Sequence, residues 1–313
     1  MDIPKIHYTG KIREITLGMG SQTCTVGGEG AYPFYRFEGM IPHAPRIAME
    51  VYDTPPEDWP EAALEPFKDV VHDPVAWAQK CQSAYGSEMI CLQLSSIDPN
   101  GLNRPAEEAA VLTQKVAQAV EVPLIVWGCA NDEKDAETLR RVAELCTGKH
   151  LIIGPVGEKN FKQIGAGAIG YQHTVIASSP IDVNLAKQLN VLLGNLGLPD
   201  TQILIDPTTG GLGYGLEYTY SVIERIRMAA LTQQDERLQF PVICNMGKEV
   251  WRSKEVKVAE ADDPRLGDAQ KRGVLMEAVT AIALLLAGAN ILIMRHPAAI
   301  ARVKGMIGEL MKE

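Results

Sequence analysis

Eight times along this chain a short apolar run is followed by a stretch of helical periodicity. That alternation limits the available folds more than any other feature. The runs are IAMEV at 47–51, MICLQL at 89–94, LIVW at 124–127, HLII at 150–153, HTVIA at 173–177, QILI at 202–205, PVICN at 241–245 and NILIM at 290–294. Most are continuously apolar rather than alternating, as parallel strands buried on both faces should be. The helical stretches fall at 74–85, from Pro105 onward, and at 132–146, 158–168, 182–196, 216–233, 269–287 and 297–312. Pro105 suits a first helical position, and Glu107 and Glu108 suit the positive end of a helix dipole. Eight strand-then-helix units predict an α/β fold of the closed (β/α)8 TIM-barrel type. An open doubly wound sheet is the structural alternative.

Residues 1–45 stand outside this repeat and read as a β-hairpin-like N-terminal extension, with the barrel occupying 46–313. Two long connections interrupt the rhythm. One, at 52–71, is rich in Pro and acids and is expected to hold a helical piece. The other, at 249–265, is a charged loop after the seventh strand. Long connections in a compact domain are often functional.

Composition narrows the function. The net charge of −9 lacks the basic balance of a nucleic-acid protein and argues against an anionic membrane surface. The first 18 residues contain no apolar segment of the secretory type. The apolar stretch 274–293 carries Glu277 and is broken by Gly288, Ala289 and Asn290, so it reads as helix, turn and strand rather than a membrane span. Cysteines 24, 81, 91, 129, 146 and 244 form no C-x-x-C, which predicts reduced thiols in a cytoplasmic protein and no metal cluster held by this chain alone. No two histidines have metal-ligand spacing on a helix face.

In a barrel, sites collect at the C-terminal ends of the strands. There the sequence places Asp98 and Asn100 in SSIDPNG, Asn131 in GCAND, Asp206, Thr208, Thr209 and Tyr214 in DPTTGGLGYG, Asn245 and Lys248 in NMGK, and Arg295 with His296. Each has a plain alternative. Asp98-Pro-Asn-Gly makes a good turn, Asn131 and Asp132 suit a helix N-cap, and the glycines at 210–215 permit either a tight turn or close approach to a ligand. GAGAIG at 165–170 spells a dinucleotide motif but follows a helix and precedes a strand, the reverse of the required context. The sequence has no P-loop, nucleophile elbow or H-E-x-x-H.

Beyond these signals, GGEGAYPF at 27–34, FEG at 37–39, IAMEV at 47–51, DPVAW at 73–77 and LQLSSIDPNG at 92–101 resemble the small subunit of the corrinoid/iron–sulfur protein. Its archaeal equivalent is the delta subunit of acetyl-CoA decarbonylase/synthase. The resemblance covers nearly the whole chain. It implies a TIM barrel forming a heterodimer with a larger subunit that carries the [4Fe–4S] cluster and a cobalamin domain. It implies transient partners as well: a methyltetrahydrofolate-dependent methyltransferase, acetyl-CoA synthase and a reductive activator. The pair would carry methyl groups on cobalt in the reductive acetyl-CoA pathway, with this barrel's mouth capping the cobalamin. Asp98, Asn100, Asn131, Asp206, Thr208, Thr209, Tyr214, Asn245, Arg295 and His296 are then the candidate cofactor-facing residues, with no catalytic residue and no metal ligand assigned. The D-x-H-x-x-G signature of corrinoid domains is missing, since Lys5 precedes His7 where Asp is required.

The barrel is also similar to the pterin-binding enzymes, dihydropteroate synthase and folate-dependent methyltransferases. Asp206-Pro, Lys248 and Arg295-His296 resemble their positions after strands six, seven and eight, whereas Ile153-Gly-Pro-Val-Gly157 lacks the Asn of their fourth strand. A pterin-dependent methyltransferase is therefore the alternative function. An aldolase using Lys248 as a Schiff base would need that lysine desolvated at a strand end.

Overall fold

Strands that are apolar on both faces must be covered on both, and the chain meets that demand by wrapping its sheet around itself. The computed structural model describes residues 4–20 and 22–312. Residues 1–3 and 21 of the predicted extension lie outside the described residues. A two-stranded antiparallel hairpin comes first, β1 (Ile15–Leu17) and β2 (Cys24–Val26). The eight predicted strands follow as β3 (Arg46–Tyr52), β4 (Met89–Gln93), β5 (Leu124–Trp127), β6 (Ile152–Val156), β7 (Thr174–Ser178), β8 (Ile203–Asp206), β9 (Ile243–Asn245) and β10 (Ile291–Met294). They pair in parallel in the order β8-β7-β6-β5-β4-β3-β10-β9. The ring nearly closes between β8 and β9, where Ile205 bridges Val242 and the Ile205 amide donates to the Pro241 carbonyl at 2.9 Å. Pro241 has no amide hydrogen, so that last ladder stays short.

The helices are α1 (Glu61–Leu64), α2 (Pro74–Ser83), α3 (Ala106–Ala119), α4 (Asp132–Leu145), α5 (Phe161–Tyr171), α6 (Val183–Leu196), α7 (Leu216–Thr232), α8 (Gly247–Arg252), α9 (Lys254–Lys257), α10 (Ala269–Ala287) and α11 (Pro297–Leu310). Several begin where the sequence supplies a cap. Asp73, Asp182 and Asp268 each accept two amides of the first turn, and Asn131 accepts the Lys134 amide. The apolar stretch 274–293 divides as expected into α10, a turn and β10. Among the described residues no helix is long and apolar enough to cross a membrane.

Alternate residues of each strand point to opposite sides. One set, including Ile47, Met49, Ile90 and Leu92, packs under the helices. The other, Ala48, Met89, Cys91, Ile125, Ile152, Ile176, Leu204, Ile243, Ile291 and Ile293, fills the barrel. Ile15, Leu17, Cys24 and Val26 of the hairpin pack against that inner set. The extension is thus a floor, closing the end where the strands begin.

Two local readings needed adjustment. The fourth strand runs on past Ile153 to Val156, with a register irregularity that accommodates Gly154 and Pro155. The charged loop 249–265 contains α8 and α9. Both are held from outside the segment: Trp251 of α8 donates its indole N–H to Glu277 at 2.8 Å, and around α9 the Arg272 guanidinium donates to the carbonyls of Glu255, Val258, Leu266 and Gly267 at 2.6–3.0 Å.

The buried hairpin predicts that Ile15→Ala lowers stability by about 2–4 kcal/mol in urea unfolding, the range for truncating a fully buried aliphatic side chain. A loss under about 0.5 kcal/mol would show that the floor is not packed.

Candidate functional site

Continuing the inward parity toward the C-terminal strand ends turns the barrel lining from apolar to polar. Two residues beyond Ala48 is Glu50, two beyond Cys91 is Gln93, two beyond Ile176 is Ser178, and two beyond Leu204 is Asp206. Asn245 follows Ile243 and Arg295 follows Ile293 in the same way. These groups satisfy one another. Gln93 donates through Nε2 to Asn245 Oδ1 at 3.1 Å and to Glu50 Oε2 at 3.4 Å. Arg295 Nε donates to Glu50 Oε1, and its Nη2 donates to the Tyr52 hydroxyl at 3.2 Å. The Arg295 guanidinium lies 3.6 Å from the centre of the Trp59 ring. Arg295 and Glu50 are 2% and 0% exposed, so this ion pair stands in a low-dielectric interior where neither charge could remain alone.

Beneath it, α10 contributes Glu277, fully buried. One carboxylate oxygen accepts the Arg295 amide. The other accepts the His296 amide at 3.1 Å and the Trp251 indole N–H at 2.8 Å. Burial pushes the Glu277 carboxyl up to about 7, against the pull of these three donors.

Asp206 forms the second polar group at this end. Its Oδ2 accepts the Ser178 hydroxyl at 2.8 Å and its Oδ1 accepts the Thr208 amide at 3.1 Å. Burial raises its carboxyl to about 6. Asp53, just past β3, accepts the Ser95 hydroxyl and the Ser96 amide at 3.1 and 3.0 Å, and also the Ser96 hydroxyl. Asp135 accepts the Cys129 and Ala130 amides at 2.8 and 2.9 Å, and burial raises it to about 6. These two carboxylates fix the loops after β4 and β5.

The predicted residues therefore separate. Asp206, Asn245 and Arg295 stand in the polar layer. Thr208 and Thr209 flank it in the loop after β8, where Thr208 Oγ1 donates to the Ser179 carbonyl. Tyr214 is on the outer part of that loop, half exposed, and its hydroxyl donates to Glu255 at 3.2 Å. Asp98 accepts the Asn100 amide at 2.8 Å in an exposed turn. Asn131 caps α4. His296 caps α11, its Nδ1 accepting the Ala298 amide, and stacks on Trp251 at 5.7 Å. Lys248 is exposed on α8. Sequence reasoning missed Glu50, Gln93, Asp53 and Asp135. The available signal for the first two was a polar residue inside an otherwise apolar strand. Among the described residues no three His, Cys, Asp or Glu side chains gather as a metal site.

A parallel α/β barrel with an apolar floor and a polar mouth is the class of protein this geometry defines. Residues 14–306 match the family described as CO dehydrogenase/acetyl-CoA synthase delta subunit. The chain is 35% identical, over 98% of its length and 70% of the relative's, to the acetyl-CoA decarbonylase/synthase complex subunit delta of Archaeoglobus fulgidus. It is 37% identical to the same subunit of Methanopyrus kandleri, over 90% of this chain and 69% of that one. The chain belongs to the CO dehydrogenase/acetyl-CoA synthase delta-subunit family. In fold it is similar to Xanthomonas albilineans dihydropteroate synthase with 4-aminobenzoic acid, at a TM-score of 0.61 and 14% identity over 96% of this chain and 100% of that one.

A carboxyl whose folded pKa lies above its unfolded value stabilises the fold most at low pH and loses that contribution as pH rises through the folded value. For Asp206 the window runs from 3.8 to about 6. Asp206→Asn, which mimics the protonated acid while the Ser178 hydroxyl turns to accept, should stabilise the chain by about 3 kcal/mol at pH 7 and by well under about 1 kcal/mol at pH 4. Urea midpoints at the two pH values measure this, and a destabilised variant at pH 7 would contradict it.

Proposed function

We propose that this chain is the non-catalytic small subunit of a corrinoid/iron–sulfur methyl carrier, its barrel mouth covering a cobalamin held mainly by a larger partner. Membership of the delta-subunit family supports the setting. The observation that carries the reading is the polar layer itself. Glu50, Gln93, Asn245 and Arg295 spend their hydrogen bonds on each other, which builds a rigid wall rather than an acid–base pair poised for a substrate.

The mouth suits the face of a large, mixed polar and apolar ring. Leu212 and Tyr214 expose apolar surface on the rim, and Asn100 offers an exposed amide. Thr208, Thr209, Leu212 and Tyr214 would line the cofactor's side of the contact, with Asp98, Asn100 and Asn131 on the neighbouring loops. Bound cobalamin supplies a cobalt that accepts and releases a methyl group. The barrel supplies a fixed surface that excludes water from it. The [4Fe–4S] cluster is assigned to the partner. The methyltransferase, acetyl-CoA synthase and reductive activator are transient visitors to the heterodimer, and a cytoplasmic setting fits the scattered, reduced cysteines.

A second reading, a pterin-dependent methyltransferase, is favoured by the dihydropteroate-synthase-like fold together with the buried Asp206. Against it, the nearest Asn after β6, Asn160, uses its Oδ1 to accept the Gly157 amide at 2.8 Å. Calorimetry with methyltetrahydrofolate separates the two: micromolar binding by the isolated chain supports the methyltransferase, and silence supports the cap.

Co-expressed with the large subunit, the chain should co-purify with corrinoid absorbance, whereas alone it should be colourless. Leu212→Arg on the rim should reduce the retained corrinoid complex about tenfold, and Met306→Arg on the outer face of α11 should leave it unchanged. Full retention by Leu212→Arg would remove the mouth from the interface.

A further inference from the structure

One helix on the outside of the barrel is apolar on the side that meets solvent. α10 lies between α7 and α11 and packs on both. Its charged residues are Lys271, Arg272 and Glu277, of which Arg272 and Glu277 are buried. Beyond Lys271 the outward side carries Leu275, Val279, Ile282 and Leu286. Leu275, Val279 and Leu286 are 48%, 52% and 40% exposed. A helix that is apolar all round normally lies buried. Met306 of α11, also exposed, extends the patch: it stands one turn beyond Arg302, which shares a surface groove with Leu275. Exposed Met228 of α7 continues it on the other flank.

The spacing of the stripe indicates what covers it. From Leu275 to Leu286 the intervals are four, three and four residues, the alternation that seats one helix against another in a coiled coil. These intervals read the same from either end. An antiparallel copy therefore sets Leu275 against Leu286 and Val279 against Ile282, so every apolar side chain meets an apolar one. Self-complementarity of this kind is what a two-fold interface requires. In that pairing α11 lies over α11 of the other copy. The exposed Arg302 near the start of the helix then approaches the exposed Glu309 near the end of its counterpart. Three neighbouring helices, about 28 Å long and about 25 Å across, give a face of roughly 700 Å², within the range of about 600–1,000 Å² per partner that stable pairs bury.

We infer that this face pairs two copies of the chain, α10 against α10 in antiparallel fashion across a two-fold axis between Val279 and Ile282. The interface lies on the side of the barrel and leaves the mouth free, so the inference is independent of the cap reading.

Sedimentation of the full chain alone at micromolar concentration tests this. The expected species is a dimer of twice the 34.1 kDa chain mass. Val279→Arg brings two like charges together at the axis and should weaken pairing at least about a hundredfold, leaving monomer. Leu286→Arg serves the same purpose should a thermal melt show that Val279→Arg does not fold. Cysteine variants read the direction: Leu275→Cys mixed with Leu286→Cys should cross-link on mild oxidation, and Leu275→Cys by itself should not. A monomer at tens of micromolar, a dimer indifferent to a folded arginine variant, or cross-linking of Leu275→Cys to itself would each overturn the assignment. So would a monomeric chain whose Val279→Arg variant no longer co-purifies with the large subunit, a result that would give this face to that subunit instead.

Discussion

The top of the barrel depends on how one buried positive charge is held. Arg295 enters the interior at the end of β10, where an unpaired guanidinium would be strongly destabilising. Glu50 from β3 neutralises it, the Tyr52 hydroxyl accepts from it, and the Trp59 ring covers it. Glu277 fixes the backbone that presents it, through the Arg295 and His296 amides, and through Trp251 the same carboxylate holds α8. Groups from β3, the long first connection, α8, α10 and β10 thus converge on one charge. A mouth built this way is rigid, because moving any member exposes a buried charge or donor to loss of its partner.

The two ends of the barrel are accordingly different in kind. Below, isoleucines and the hairpin close the interior with apolar packing. Above, polar side chains form a layer that loops anchored by Asp53, Asp135 and Asp206 surround. The proposed contact with a large cofactor face needs such a fixed surface, and the family to which the chain belongs is one of subunits within a multi-subunit complex.

Much of this was legible in the sequence, for identifiable reasons. Parallel strands buried on both sides announce themselves as continuous apolar runs, and Asn131 marks a helix start as a cap. Arg295 could be read because it is the first polar residue past an apolar run. Glu50 and Gln93 were hidden because attention to the loops beyond the strands passes over polar residues within them. Glu277 was visible as a lone acid in an apolar stretch, but its partners come from residues 251, 295 and 296, and only the fold brings those together. Helices α8 and α9 escaped notice because residues outside their own segment organise them, Glu277 holding α8 through Trp251 and the Arg272 side chain holding α9. Asn131 and His296 show the opposite difficulty: a polar residue at a strand-to-helix junction looks the same whether it caps the helix or faces a ligand.

A double-mutant cycle on Glu50→Gln and Arg295→Met, followed by urea unfolding, tests most directly whether the mouth is organised by that buried pair. Each single variant should lose about 3–5 kcal/mol, and the double variant should recover about 2 kcal/mol or more relative to the sum. Losses that add to within about 0.5 kcal/mol would mean that the two charges do not support each other.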